Sequence, residues 1–216
     1  PPRPPQLLGL PARVREAVVA PLREFLARPG AWLILLYVAL FNLGEAMAGV
    51  MLAPFYRYLG FDRAAVAAAT GIPALACTMT GIAVGGWVVA RIGLARALIS
   101  TGFAQMAAMA MYVWLAYSHG QHAVLYATVM VEAFVQALAT ASFIAYLSGL
   151  CAAAFTATQY ALLTSLAALA THTLGGLSGF VAQATGWPEF YMLAMACSLP
   201  GMATMLLILH RFPPRT

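Results

Sequence analysis

AWLILLYVALFNLGEAMAGVMLA, residues 31–53, runs for 23 residues with one ionisable side chain, Glu45. A bilayer's hydrocarbon core, about 30 Å thick, is crossed by roughly 20 apolar residues in a helix. The stretch therefore reads as a membrane span. A signal peptide explains it poorly, because an h-region is shorter and an amphipathic segment comes before it. Five further stretches pass the same test: 66–90, 95–117, 122–148, 157–182 and 190–210. The expected fold class is an all-α integral membrane protein of six transmembrane helices, with a lipid bilayer as its first partner.

The composition agrees. Of 216 residues, 63% are hydrophobic and 8% charged, and the mean hydropathy is +0.86. Soluble domains are about 45–50% apolar and about 25% charged, so this chain cannot cover its own surface with polar groups. Disordered, collagen-like and disulfide-scaffold classes fall on the same numbers. Cys77, Cys151 and Cys197 are an odd number, far apart, and imply neither a disulfide nor a metal set. The chain opens on Pro1, which predicts a processed chain, one excised from something longer, or one beginning inside an open reading frame.

The charges give orientation. Eleven basic residues, all Arg, stand against six acids, for a net charge of +5. No motif that reads RNA or DNA accompanies them, so nucleic acid is not an expected partner. Arg3, Arg13, Arg15, Arg23, Arg28, Arg91, Arg96, Arg211 and Arg215 fall on one side of the six spans, and Arg57 and Arg63 on the other. Because Arg stays cytoplasmic, both termini of the multi-pass chain are expected inside. Residues 1–30 read as a proline-rich and amphipathic cytoplasmic linker, 31–210 as the bundle, and 211–216 as a cytoplasmic tail. Turn and cap signals separate the spans: Gly60 and Asp62, then Arg91, Gly93 and Arg96, then Gly120, then Gly186.

The six spans divide into two triplets. Gly81 and Gly85 in the second span correspond to Gly175 and Gly179 in the fifth, and small residues four apart let helices approach closely. Inverted three-helix repeats are a recurrent transporter architecture. Away from the span ends only Glu45, Glu132 and His172 titrate. Glu45 lies in the first helix of the first triplet and Glu132 in the first helix of the second. An unpaired charge in lipid costs several kcal/mol, so each must face a cavity or another helix. Asn42, three residues before Glu45, and Gln136, four after Glu132, share their faces. A carboxyl out of water can cycle between its protonated and charged forms. Glu45, Glu132 and His172 are the candidate proton-coupling or substrate-path residues, with Asn42, Gln136 and Gln159 as polar cavity lining. The competing reading of each acid is a protonated carboxyl making one interhelical hydrogen bond.

Enzymatic readings do badly. There is no His-Glu-x-x-His, phosphate-binding glycine loop or Gly-x-Ser-x-Gly elbow, and no His pair placed to hold a haem. No catalytic residue, metal or cofactor is expected, and no ATP-driven engine.

FTATQYALLTSLAAL, residues 155–169, resembles the signature of the AmpG-type anhydromuropeptide permeases of the major facilitator superfamily. PLREF at 21–25, WLILL at 32–36, LGEA at 43–46, LGF at 59–61, VEAF at 131–134 and ATGW at 184–187 are similar to the same region. Residues 86–96 resemble a worn copy of the superfamily's glycine-rich loop, making Arg91, Gly93 and Arg96 its candidate gating residues. The resemblance implies the C-terminal half of a twelve-helix fold, one bundle of two inverted three-helix repeats. It also implies proton-driven import of peptidoglycan-derived sugar-peptides for cell-wall recycling. The partners would then be an N-terminal six-helix half (on the same chain, a separate chain or a second copy), a small sugar-peptide and protons. Glu45 stands where the family has an acid, and Glu132 where it has Glu. Three positions depart: Ala90 replaces a loop Asp, residues 152–154 are alanines where the family is basic, and Thr171 replaces an Arg. Acetyl-CoA transporters share the broader family. A fragment or scaffold without transport activity is the reading from a different class.

Overall fold

The computed structural model describes residues 30–41, 43–118, 120–150 and 178–211, with isolated positions at Arg23, Leu26, Ala27, Ala161, Thr164, Ser165, Ala168, Leu169, His172, Thr173 and Gly176. The first span comprises α1 (Ala31–Phe41) and α2 (Leu43–Tyr58), and the second α3 (Arg63–Thr70) and α4 (Ile72–Ile92). The third comprises α5 (Leu94–Ala108) and α6 (Ala110–Tyr117), and the fourth is α7 (His122–Leu150). α8 (Ser178–Thr185) closes the segment read as the fifth span, most of which lies outside the described residues. The last span comprises α9 (Trp187–Ala196) and α10 (Leu199–Arg211). Among the described residues there is no strand, and five helical runs are long and apolar enough to cross a membrane.

Two helix ends differ from the hydropathy reading. The first span continues past residue 53 to Tyr58, through Pro54, and the second starts at Arg63 and not at residue 66. A helix ends where its backbone is capped, and apolar length alone does not report that. Here Asp62, in extended conformation, accepts the Ala65 N–H at 2.8 Å, satisfying one of the orphan donors of the first turn. A glycine with positive φ stands in each described turn: Gly60, Gly93, Gly120 and Gly186. Gly93 (φ 82°, ψ 157°) and Gly186 (φ 87°, ψ 167°) share a region closed to side-chain-bearing residues. Gly93→Ala should therefore cost about 1–3 kcal/mol, read as a lowered melting temperature in detergent. Gly86→Ala, where the new methyl meets open space, is the matched control and should not lower it.

Close packing is concentrated where α4 crosses α7. A Cβ on Gly81 would run into the Phe134 carbonyl and Ala137, and one on Gly85 into Ala141 Cβ and the Leu138 carbonyl, each at 2.9 Å. The rest of the second span is little covered: 11% of its apolar window is buried, against 33–44% in the other spans. Ile72, Leu75, Met79 and Trp87 stand exposed along it.

Two apolar clusters fill the bundle. One gathers Phe55, Tyr56, Tyr112, Leu115, Leu125, Phe190 and Tyr191 near the turn that joins the first two spans. The other gathers Tyr37, Leu98, Phe143, Leu147 and Met205 at the opposite end. Between them, the third and last spans are each interrupted. At Met109 the Tyr112 N–H bonds to Met109 O (3.1 Å), and at Cys197–Ser198 the Ser198 N–H bonds to Met195 O (3.1 Å). Both are tighter 3₁₀-type turns. The two interruptions touch, with Ser198 Oγ 3.7 Å from Met109 Sδ.

Candidate functional site

The level between the two clusters is where the polar side chains converge. Glu45 on α2 lies about 20 Å along the helix from either end of its span, and Gln105 on α5 and Glu132 on α7 sit at the matching depth. Glu132 and Gln136 are four residues apart and so share one face of α7. The Gln105 Nε2 donates to Glu45 Oε2 at 2.7 Å and to Glu132 Oε1 at 3.0 Å, which uses both of its hydrogens. Gln136 Nε2 donates to Glu45 Oε1 at 2.7 Å. One amide thus bridges two carboxyl groups from different spans, and a second amide holds the outer oxygen of Glu45.

The two acids are not equivalent. Glu45 has both oxygens engaged, each by a short bond from a different helix, as a carboxylate requires. Glu132 is 5% exposed, accepts the longer, shared bond from Gln105, and lies within hydrogen-bond reach of the Glu45 carboxyl, while no amide or hydroxyl reaches its buried Oε2. The Gln105 Oε1 is likewise buried and unpartnered. Such a bridged pair can hold a single proton between its members. A cavity of about 20 Å³ adjoins Glu45, Gln105 and Gln136, walled by Met106, Met109 and Met202. That is room for a water molecule and far below the several hundred Å³ of a small-molecule pocket.

Removing the bridging amide should be costly, because each carboxyl loses an amide donor, leaving Glu132 with only the Glu45 carboxyl beside it and Glu45 with Gln136. Gln105→Leu is expected to lose about 1–3 kcal/mol in thermal unfolding. A melting temperature equal to wild type would mean that the amide does not bridge.

Other residues singled out by the sequence lie elsewhere. His172 is exposed and takes no part in this network. Asn42, Gln159 and Gly175 lie outside the described residues. At Gly179 a Cβ would make only an ordinary 3.6 Å contact with Met51. Arg91, Gly93 and Arg96 sit together in the turn between α4 and α5, both arginines exposed, with the Arg91 guanidinium 5.5 Å from the centre of the Trp87 ring. Gln105 is the residue sequence reasoning passed over. An amide inside a membrane span is itself an expensive group needing a partner, so the logic that singled out the acids would have found it.

Six apolar segments, with a hydrogen-bonded acid in the leading helix of each triplet, meet one further observation: residues 1–171 match the family model of the Major Facilitator Superfamily. The chain belongs to that superfamily. It is a multi-pass membrane protein, as are transporters of this kind. It is 37% identical to the anhydromuropeptide permease of Escherichia coli K12 over 209 residues, covering 95% of this chain and 42% of that protein. A Rickettsia conorii protein named as transporter AmpG 4 is 32% identical, covering 88% of this chain and 46% of its own length. The chain thus spans less than half the length of these relatives, and its resemblance to the anhydromuropeptide permeases extends over nearly all of it.

Proposed function

We propose that this chain is one half of a secondary active transporter that imports peptidoglycan-derived anhydromuropeptides across the bacterial inner membrane, driven by protons. The observation that carries the reading is the Glu45–Gln105–Glu132 bridge at mid-bundle, joined to Gln136. Titratable groups at membrane depth mark proton and substrate paths by default, and the similarity to the permeases supplies the substrate class. Alternating access needs two bundles rocking about a midplane site. Three features support a second bundle: the matched share of the relatives, the sparsely covered second span, and a cavity too small to enclose a sugar-peptide. The second bundle would close over the Gln136 side, where α7 is exposed. The arginine distribution supports cytoplasmic termini, with the site opening alternately to the two faces.

The test uses the product of the full reading frame, reconstituted in lipid vesicles. An inward proton gradient should drive accumulation of a labelled anhydromuropeptide, and an uncoupler should abolish it. Absent uptake, or uptake indifferent to the gradient, would overturn the proposal. Uptake of acetyl-CoA in its place would move the substrate to the other branch of the family.

A further inference from the structure

Two local rules fail at the turn between the first two spans. Of the chain's arginines only Arg57 and Arg63 fall on the side assigned to the outside, where arginine is disfavoured. Arg63 also opens α3, whose first turn holds no acid, although the positive end of a helix favours negative side chains. Such rules are broken where a site has a use for the residue. Both side chains are exposed, and among the described residues neither pairs with an acid. They share one pocket of about 320 Å³, with Ala53, Tyr56, Phe61 and Val66 in its walls. That is the size of a small-molecule site. Asp62 lines it too, but its Oδ1 is turned to the Ala65 N–H at 2.8 Å. Two guanidinium groups against one carboxylate leave the pocket positive.

The pocket is joined to the central network along α2. Arg57, Ala53, Gly49 and Glu45 recur every four residues, so each lies beside the next on the helix surface. The first three are exposed, and a Cβ on Gly49 would meet nothing within 4 Å. An open strip floored by small residues therefore runs roughly 18 Å, from Arg57 at its mouth to Glu45 at mid-depth.

We infer that Arg57 and Arg63 form an outer recognition site for the carboxylate that ends the peptide part of the incoming sugar-peptide. This rests on the transport reading above and gives the substrate its first contact, on the side from which an importer loads. A guanidinium forks onto a carboxylate with two parallel N–H donors, and the apolar walls around it strengthen the pairing. The strip then offers the rest of the molecule a way in without a bulky side chain to displace.

The test is saturation-transfer NMR on the full-reading-frame protein in phosphatidylcholine vesicles doped with phosphatidylglycerol. The probes are N-acetyl-dialanine with a free carboxylate and its C-terminal amide, which differ only in that group's charge. The carboxylate form should give the stronger signal. Arg57→Gln and Arg63→Gln should each lower it at least about fivefold, the loss of a charge-assisted bond, and leave the amide's signal unchanged. Arg211→Gln, an exposed arginine at the opposite end of the bundle, should change neither. Equal signals from the two probes, or a carboxylate signal that survives either outer substitution, overturn the site. Loss of bound phosphatidylglycerol from those variants, with the peptide signal intact, assigns the pocket to a lipid headgroup and overturns it too. Because the probe carries no sugar and needs no transport, the two proposals are scored apart. Carboxylate binding without anhydromuropeptide uptake sinks the transport reading and keeps the site, and uptake with no preference for the carboxylate sinks the site alone.

Discussion

Glu132→Gln in the reconstituted transporter should reduce proton-driven accumulation of anhydromuropeptide to less than about one-tenth of wild type, while exchange of labelled for unlabelled substrate stays within about twofold. The substitution preserves volume and leaves an amide able to accept from Gln105, so the bundle keeps its packing and its bridge. What it removes is the group that can gain and lose a proton at the most buried position of the network. Exchange needs no net proton movement and should survive. Wild-type accumulation would remove Glu132 from the coupling mechanism altogether. Glu45→Gln makes an informative contrast. Glu45 accepts from two amides, and an amide in its place must turn an N–H toward one of them. That variant should lose about 1–3 kcal/mol of stability as well as activity.

The second large effect concerns the crossing of α4 and α7. Gly81→Leu places a branched side chain against the Phe134 carbonyl and Ala137, backbone and methyl groups that cannot step aside as a flexible side chain can. Overpacking a tight contact costs about 1–3 kcal/mol, and a leucine here should stand at the top of that range or above it. The expected result is a protein that leaves the membrane fraction as aggregate in detergent. Gly81→Ala should fold with a depressed melting temperature. A wild-type melting temperature for Gly81→Leu would mean that the two helices are not in contact at this point.

The six apolar segments were legible because a bilayer demands length and apolarity together, and Glu45 and Glu132 because a charge inside a span has to be accommodated. The close crossing at Gly81 and Gly85 could be read because both glycines lie on one helix, four residues apart. The contact between the first and last spans could not. Gly44 faces Ser198 and the Ala194 carbonyl, and Gly201 faces the Leu40 carbonyl, so the small residues that permit this approach are split between distant segments and form no local pattern. Tyr56, Tyr112 and Tyr191 escaped notice for another reason. Within a span, tyrosine counts as an aromatic filler, and only the fold gathers these three into one cluster, with the Tyr112 and Tyr191 rings 4.9 Å apart. The helices reach beyond the apolar stretches, to Tyr58 and from Arg63, because hydropathy measures the thickness of hydrocarbon, whereas the Asp62 cap determines where the backbone begins to wind.

The paired interruptions at Met109 and Ser198 give the bundle an uneven bending stiffness. Two of its beams are notched at the same height, and the notches bear on each other. An interrupted hydrogen-bond ladder bends more readily than an intact one. A tilt of about 10° at the notch would swing the tip of α6, an arm of roughly 12 Å, by roughly 2 Å. Gln105 lies four residues before Met109 on the same beam, and Met109 N–H bonds to the Gln105 carbonyl. A hydrogen bond gained or lost by that amide therefore acts beside the fulcrum, where a small local force has the greatest leverage over the ends of the helices.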